Sequence, residues 1–196
     1  MKPLYHTKTF TMLLNNPSHT IIEAKRLVES DSRSEIRLNA NGGNSILIVC
    51  EPMREFEYIA AINNLLNPEN FEIIDLNACL IDFVSNHKEE LVELYDLLQS
   101  ATHEIFKAPI GEESTDLFKT IISLIQNTLN ENKVPILINT GALFGTGIHN
   151  IHIMENEVVM NAALPILILY PATVDHEQIL FLGKYPASKY RCMIIQ

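Results

Sequence analysis

The sequence predicts an α/β fold, a three-layer sandwich with a mostly parallel sheet. Short apolar runs without polar alternation recur along the chain, as in strands that are covered on both faces. Stretches with helical periodicity separate these runs, which favours parallel strands joined by helical crossovers. The length of 196 residues, 47% of them hydrophobic, fits a single α/β domain over residues 1–196. The predicted core strands are Ile46–Cys50, Phe71–Leu76, Val134–Asn139 and Leu164–Pro171.

The first 44 residues are predicted to form a helical and loop N-terminal arm. An apolar pattern after Ser18 indicates a helix, and Gly42 and Gly43 indicate a loop just before the first core strand. The sequence leaves open whether this segment is a mobile arm or a packed helix.

Four further helices are predicted between the strands. One extends from about Met53 to Leu66, and a short one follows the second strand with Asn77 as its N-cap. The last runs from an N-cap at Ser114 to Leu129. Between them, the stretch HKEELVELYDLLQS places an apolar stripe at i, i+3, i+4 and i+7: Leu91, Leu94, Tyr95 and Leu98.

The C-terminal region is predicted to form an antiparallel hairpin. Only eight residues, Pro171–Gln178, follow the fourth strand, which is too short for a parallel crossover. The next strand is therefore expected to be antiparallel or at an edge. We predict a hairpin of Ile179–Lys184 with Tyr190–Ile195.

The charge and the cysteines restrict the class of protein. The formal net charge of −10 repels phosphate backbones and argues against direct nucleic-acid binding. The three cysteines are widely spaced, which favours buried thiols in a reducing compartment over a disulfide framework. No leader-like start and no apolar run of about 18 residues is present, so a cytoplasmic protein without membrane contact is expected.

Two kinds of nucleotide signal are missing. The first strand is followed by Glu51 and Pro52, which add a negative charge and remove an N–H donor where a phosphate would bind. The glycines between Gly141 and Gly147 lack the lysine of a GxxxxGK[ST] loop. Asp75, near the end of the second strand, could bind a ribose hydroxyl in a dinucleotide-binding fold, but without the glycine loop it is expected to cap the following turn. No GxSxG nucleophile motif occurs, and no catalytic residues are predicted.

The segment Thr140–His152 nevertheless follows a core strand, where ligands bind in α/β sheets. His149 and His152 lie three residues apart, so they would share a helix face, and Asp175 and His176 follow the next core strand. Two histidines and a carboxylate suit zinc or iron, although histidines also occur on ordinary polar helix faces. A nucleotide- or metal-responsive enzyme or switch therefore remains an alternative function.

Four stretches together resemble the BrxB family of bacteriophage-exclusion (BREX) defence systems. They cover about residues 38–195: LNANGGNSILIVCEP, FEIIDLNACLIDFV, ILINTGALFGTGIHNIHIM and PILILYPATVDHEQILFLGKYPASKYRCMII. The last stretch, with its closing strand and proline turn, is the most specific. The chain departs from the family pattern where a Tyr-Pro-Phe and an Arg usually follow the Thr-Gly strand exit, since Phe144, Gly145 and Ile148 stand near those positions.

The resemblance implies a P-loop-NTPase-like core that lacks the phosphate-binding loop and needs no cofactor. It implies a non-enzymatic scaffold or adaptor in a phage-defence complex. The implied partners are an ATPase, an alkaline-phosphatase-like component and a DNA methyltransferase of the same system. We expect the interaction edge to include the turn Lys184–Lys189 and the residues Thr140, Gly141, Phe144, His149, His152, Asp175 and His176.

Overall fold

A computed structural model describes residues 16–29, 33–98, 101–108, 116–175, 178–187 and 191–196. Four apolar runs form the predicted core strands. Their backbones lie side by side and their side chains are largely buried, because helices cover both faces. The strands are β1 (Ser45–Cys50), β2 (Phe71–Asp75), β3 (Val134–Ile138), β4 (Ile166–Asp175), β5 (Gln178–Phe181), β6 (Tyr185–Pro186) and β7 (Met193–Ile195).

The sheet has the order β2-β3-β4-β1-β7, and these five strands are parallel. β1 lies between β4 and β7, with Ser45 opposite Ile166 and Ile46 opposite Met193. β5 pairs antiparallel with the far half of β4, and β6 pairs antiparallel with β5. The mostly parallel α/β sheet is therefore as predicted.

Helices cover the two faces in separate layers. The first layer contains α1 (Pro17–Glu29), α2 (Arg33–Asn39) and α3 (Glu55–Leu65), packed on alternate side chains of β1, β3 and β4. α1 lies against α3 and buries Ile21, Ala24, Leu27 and Val28, so this part of the N-terminal segment belongs to the core. A 3₁₀ turn at Pro52–Arg54 connects β1 to α3.

The opposite layer packs on the other side of the sheet. Its elements are α4 (Leu76–Asn86), α5 (Lys88–Leu98), α6 (Leu117–Asn130), α7 (Asn150–Met154) and α8 (Glu157–Met160). α6 has the clearest apolar stripe and buries Leu117, Ile121 and Ile125 against Leu137 and Ile168 of the sheet. The two cores give the three-layer arrangement.

The predicted C-terminal hairpin is wrong. Instead of pairing with Ile179–Lys184, the last strand crosses to β1 and pairs with it in parallel. The antiparallel partners of β5 are β4 and β6, so the expectation that this strand is antiparallel is confirmed. A close approach next to β7 explains the placement, because a Cβ on Gly43 would collide with the backbone carbonyl of Arg191. The glycine before β1 thus admits the chain that leads into β7.

Two N-caps differ from the prediction. Asp75, not Asn77, caps α4, and its side chain accepts hydrogen bonds from the backbone N–H groups of Asn77 and Ala78. Asp116 caps α6 by accepting from the N–H of Lys119, whereas Ser114 lies outside the described residues. In both cases the aspartate has extended backbone directly before the helix, which is the position from which a side chain reaches the first free N–H groups.

The cysteines are free, with Cys50 and Cys192 buried as predicted. Burial raises the pKa of the Cys192 thiol to about 12 and raises that of Cys50 further, with Glu55 adding to the rise. Neither thiol is a ready nucleophile. Among the described helices, none has both the length and the apolar character needed to cross a bilayer.

Candidate functional site

The carboxyl ends of β1, β2 and β3 meet at one acidic edge. Glu51 and Pro52 follow β1 directly, and Glu55 begins α3. The nearby cation, Arg54, is held by Glu57 in a bidentate pair with N–O distances of 2.8 and 3.1 Å. The edge where α/β sheets bind phosphates therefore carries carboxylates, with its arginine already engaged.

Asp75 organises this edge. Its Oδ1 accepts from the Asn77 backbone N–H at 2.9 Å and from the Ala78 N–H at 3.3 Å, which caps α4. The same oxygen accepts from Asn139 Nδ2 at 2.9 Å, which links the ends of β2 and β3. Asn139 has left-handed backbone geometry, a conformation that asparagine tolerates better than most residues. The prediction that Asp75 caps the following turn is confirmed.

Glu55 completes the acidic edge. Burial raises the pKa of its carboxyl above the ordinary value, the N–H of Asn139 opposes this rise, and Asp75 adds to it. Its Oε1 is buried and has no hydrogen-bond partner among the described residues. The carboxyl groups of Asp75 and Glu55 thus both accept hydrogen bonds from Asn139, and two acidic groups this close together repel an anionic ligand.

Thr140 and Gly141 lie behind the surface. Thr140 is fully buried, and its hydroxyl donates to the Leu169 carbonyl at 3.0 Å, so it joins the end of β3 to β4. A Cβ on Gly141 would make only an ordinary contact with the Leu182 side chain at 3.5 Å. Close strand–helix packing therefore does not require this glycine.

Phe144 and His149 lie at an open cavity of about 470 Å³. The ring of Phe144, 56% exposed, lies 5.0 Å from that of Tyr185, and the rings of Tyr170 and Phe181 stack at 4.8 Å. We call this the aromatic cavity; its walls are residues Leu143, Phe144, Gly145, Gly147, Ile148, His149, Asn150, Ile151, Tyr170, Phe181, Tyr185 and Pro186.

The wall contains one buried polar side chain that sequence reasoning missed. Asn150 is 4% exposed, and its Oδ1 has no hydrogen-bond partner in the described part of the chain. Sequence reasoning also missed the other aromatic walls of the cavity, which come from β4, β5 and β6: Tyr170, Phe181 and Tyr185. Only the aromatic character of ILFLGKYP gave a local signal for them.

His149 and His152 do not share a helix face as predicted, because His149 has extended backbone and precedes α7 as its N-cap; their ring centroids nevertheless lie 5.2 Å apart. However, Lys107 Nζ lies 2.9 Å from His152 Nδ1, and the same Nδ1 accepts from the His149 backbone N–H. Burial lowers the pKa of His152, and the charge of Lys107 lowers it further. The positive charge of Lys107 next to the His152 nitrogen that would bind a metal ion repels such an ion. No group of three or more potential metal-binding side chains occurs within the described ranges.

The remaining predicted edge residues are only partly described by the structure. The backbone of Asp175 ends β4 and pairs with that of Gln178. His176 lies outside the described residues, as do Ser188 and Lys189 of the predicted turn. Tyr185 and Pro186 of that turn line the aromatic cavity.

A second surface lies on α5, which sequence reasoning treated as an ordinary amphipathic helix. In the described part of the chain, none of the α5 side chains is buried. Val92 is 59% exposed and Tyr95 is 60% exposed. They border a shallow groove of about 490 Å³, called here the α5 groove, which is formed by Val84, Lys88, Leu91, Val92, Tyr95, Ile105 and Phe106. Val92, outside the predicted apolar stripe, was the available signal, whereas Tyr95 belongs to that stripe and is nevertheless exposed.

Comparison of the chain with protein-family models, with curated proteins and with solved structures finds no match.

Proposed function

We propose that this chain is a non-enzymatic scaffold or adaptor of a bacterial anti-phage defence complex of the BREX type. The resemblance of its four stretches to the BrxB family supports the proposal. The proposed partners are the ATPase, the alkaline-phosphatase-like component and the DNA methyltransferase of such a system. The free, buried Cys50 and Cys192 suit a reducing cytoplasm.

We propose further that the core is P-loop-like without a phosphate loop. The strand–loop–helix unit of a P-loop corresponds to β1, residues 51–54 and α3. Here that connection holds Glu51, Pro52 and a 3₁₀ turn, and Glu55 follows. Such a core would keep the sheet of an ATPase, but the β1–α3 connection, where a P-loop binds phosphate, would carry negative charge.

The observation that carries the adaptor proposal is the α5 groove. α5 presents Val92 and Tyr95 to solvent beside the partly buried Leu91 and Phe106. Grouped apolar side chains on a surface indicate a protein contact. A shallow groove with this apolar lining suits an amphipathic helix that inserts two or three apolar anchors.

Charge specifies the occupant of the groove. The exposed acidic residues of α5 lie outside the groove lining, on one flank and the outer side of the helix: Glu89, Glu90, Glu93 and Asp96. Lys88, the basic residue of this helix, lines the groove itself. The partner segment is therefore an apolar helix flanked by lysine or arginine, because such charges complement the rim and accelerate the encounter. With a net charge of −10, the chain is proposed to make no direct contact with nucleic acid.

Co-purification tests the proposal. The tagged chain is produced together with the three proposed partners, an ATPase, an alkaline-phosphatase-like protein and a DNA methyltransferase, and the eluted complex is identified by mass spectrometry. At least one of the partners should elute with the wild-type chain. Val92→Asp should abolish this, because it places a charge in an apolar contact.

The matched control is Ile22→Asp, which changes a 52% exposed β-branched residue on α1. Ile22→Asp should leave co-purification intact. Equal retention by both variants would reject the α5 groove as the contact. Neighbouring genes that encode neither an ATPase nor a methyltransferase would remove the defence assignment.

A further inference from the structure

The aromatic cavity has the size and lining of a small-molecule site. Its volume of about 470 Å³ lies within the range of such sites, about 300–1,000 Å³. The β3–β4 connection forms one side and the β4–β5–β6 ribbon forms the other. It is separate from the α5 groove and shares none of its lining residues.

Its walls suit a flat ring. Phe144 and Tyr185 pack at 5.0 Å with an angle of 32° between their planes, and both rings remain about half exposed. Tyr170 and Phe181 form a second stacked pair at 4.8 Å. Exposed aromatic faces bind planar heterocycles by stacking, largely without regard to their identity.

One wall residue requires a hydrogen-bond donor. Asn150 is 4% exposed, and its Oδ1 lacks a partner among the residues that the structure describes. Buried acceptors are rarely left unpaired, and this oxygen has almost no accessible surface, so a rotation of the Asn150 side chain toward the cavity would let a ligand N–H pair with it. Among the twelve described wall residues there is no lysine, arginine, aspartate or glutamate, and His149 is the one imidazole, so an uncharged group fits this wall best.

We propose that the aromatic cavity binds the base of a nucleoside: a flat, uncharged heterocycle that stacks on Phe144 and Tyr185 and donates an N–H to Asn150 Oδ1. A triphosphate is disfavoured because the chain carries a charge of −10 and its acidic edge lies at the end of the same sheet. The site does not depend on the adaptor proposal, and either can fail alone.

Titration of the full chain with adenosine tests the site, with calorimetry for the affinity and ¹⁵N NMR for the location. Saturable binding with shifts at Asn150 and His149 is expected. Phe144→Ala should weaken the affinity roughly 5- to 150-fold, since stacking on one ring is worth about 1–3 kcal/mol per base. Phe56→Ala, which removes a 68% exposed aromatic ring from α3, should change nothing.

A matched ligand tests the hydrogen bond. N6,N6-dimethyladenosine keeps the ring but has no N–H on the base, so it should bind at least tenfold more weakly than adenosine. Asn150→Leu should remove this preference, and Phe144→Ala provides the test if that variant does not fold. The absence of saturable binding by adenosine, cytidine and guanosine would overturn the proposal. It would also fail if N-acetyltryptophanamide alone bound, since the cavity would then receive a partner's side chain.

Discussion

Replacing Asp75 by alanine is expected to destabilise the protein by about 2 kcal/mol. One oxygen of Asp75 both caps α4 and accepts from Asn139 Nδ2 at 2.9 Å. Loss of a helix cap costs about 0.5–2 kcal/mol, and loss of a partly exposed hydrogen bond costs about 0.5–1.5 kcal/mol. Relief of the repulsion with Glu55 reduces the total slightly. For a chain of this length, the change corresponds to a Tm lower by roughly 4–8 °C.

Urea unfolding followed by circular dichroism measures the effect, with an unchanged slope showing that the two-state comparison is valid. Asp75→Asn should stay within about 0.5 kcal/mol of wild type, because asparagine is an equally good cap and keeps the acceptor. Asp82→Ala, an exposed acid on the same helix, should also be near neutral. If Asp75→Asn destabilises as much as Asp75→Ala, the charge rather than the hydrogen bonds carries the effect, and the reasoning is refuted.

Three further substitutions test the polar groups around the sheet. Glu55→Gln should raise the urea midpoint above that of wild type at about pH 7.5 but not near pH 4. The carboxyl pKa is raised in the folded state, so the wild type loses stability as the pH rises through that pKa. The same difference between variant and wild type at both pH values would contradict this. His152→Gln should reduce the loss of stability that the wild type shows on acidification below about pH 6.5. The pKa of His152 is lowered in the folded state, so protonation of this side chain favours unfolding. The same dependence of stability on pH in variant and wild type would contradict this prediction. Asn44→Ala should cost about 2–4 kcal/mol in the same unfolding assay, because the buried Nδ2 of Asn44 donates to three carbonyls at 2.9–3.0 Å. The control Asn63→Ala, which removes an exposed hydrogen bond, should cost under about 1 kcal/mol. Equal losses in the two variants would contradict this prediction.

The core strands were predictable from sequence because burial on both faces leaves a direct signature. Ile46–Cys50 and Val134–Ile138 consist almost wholly of apolar residues, and both strands lie in the interior of the sheet. The place of β7 was not predictable from its own residues. Neighbouring runs favour a hairpin, whereas the actual pairing with β1 depends on a distant close approach at Gly43.

The candidate sites were predictable only in part, for a similar reason. Phe144 and His149 were found because they follow a core strand, but their partner Tyr185 lies on another ribbon of the sheet. The acidic edge was visible in Glu51 and Pro52, whereas the bond from Asn139 to Asp75 depends on the β2–β3 register. Both contacts join residues that are distant in sequence and are brought together by strand pairing, which short sequence patterns do not specify.

Phage plating efficiency in the bacterium that encodes this chain tests the proposed function most directly. Deletion of the gene should abolish protection, and wild-type and Ile22→Asp chains should restore it, whereas Val92→Asp should not. Protection that persists after deletion, or that Val92→Asp restores fully, would contradict a scaffold that works through the α5 groove.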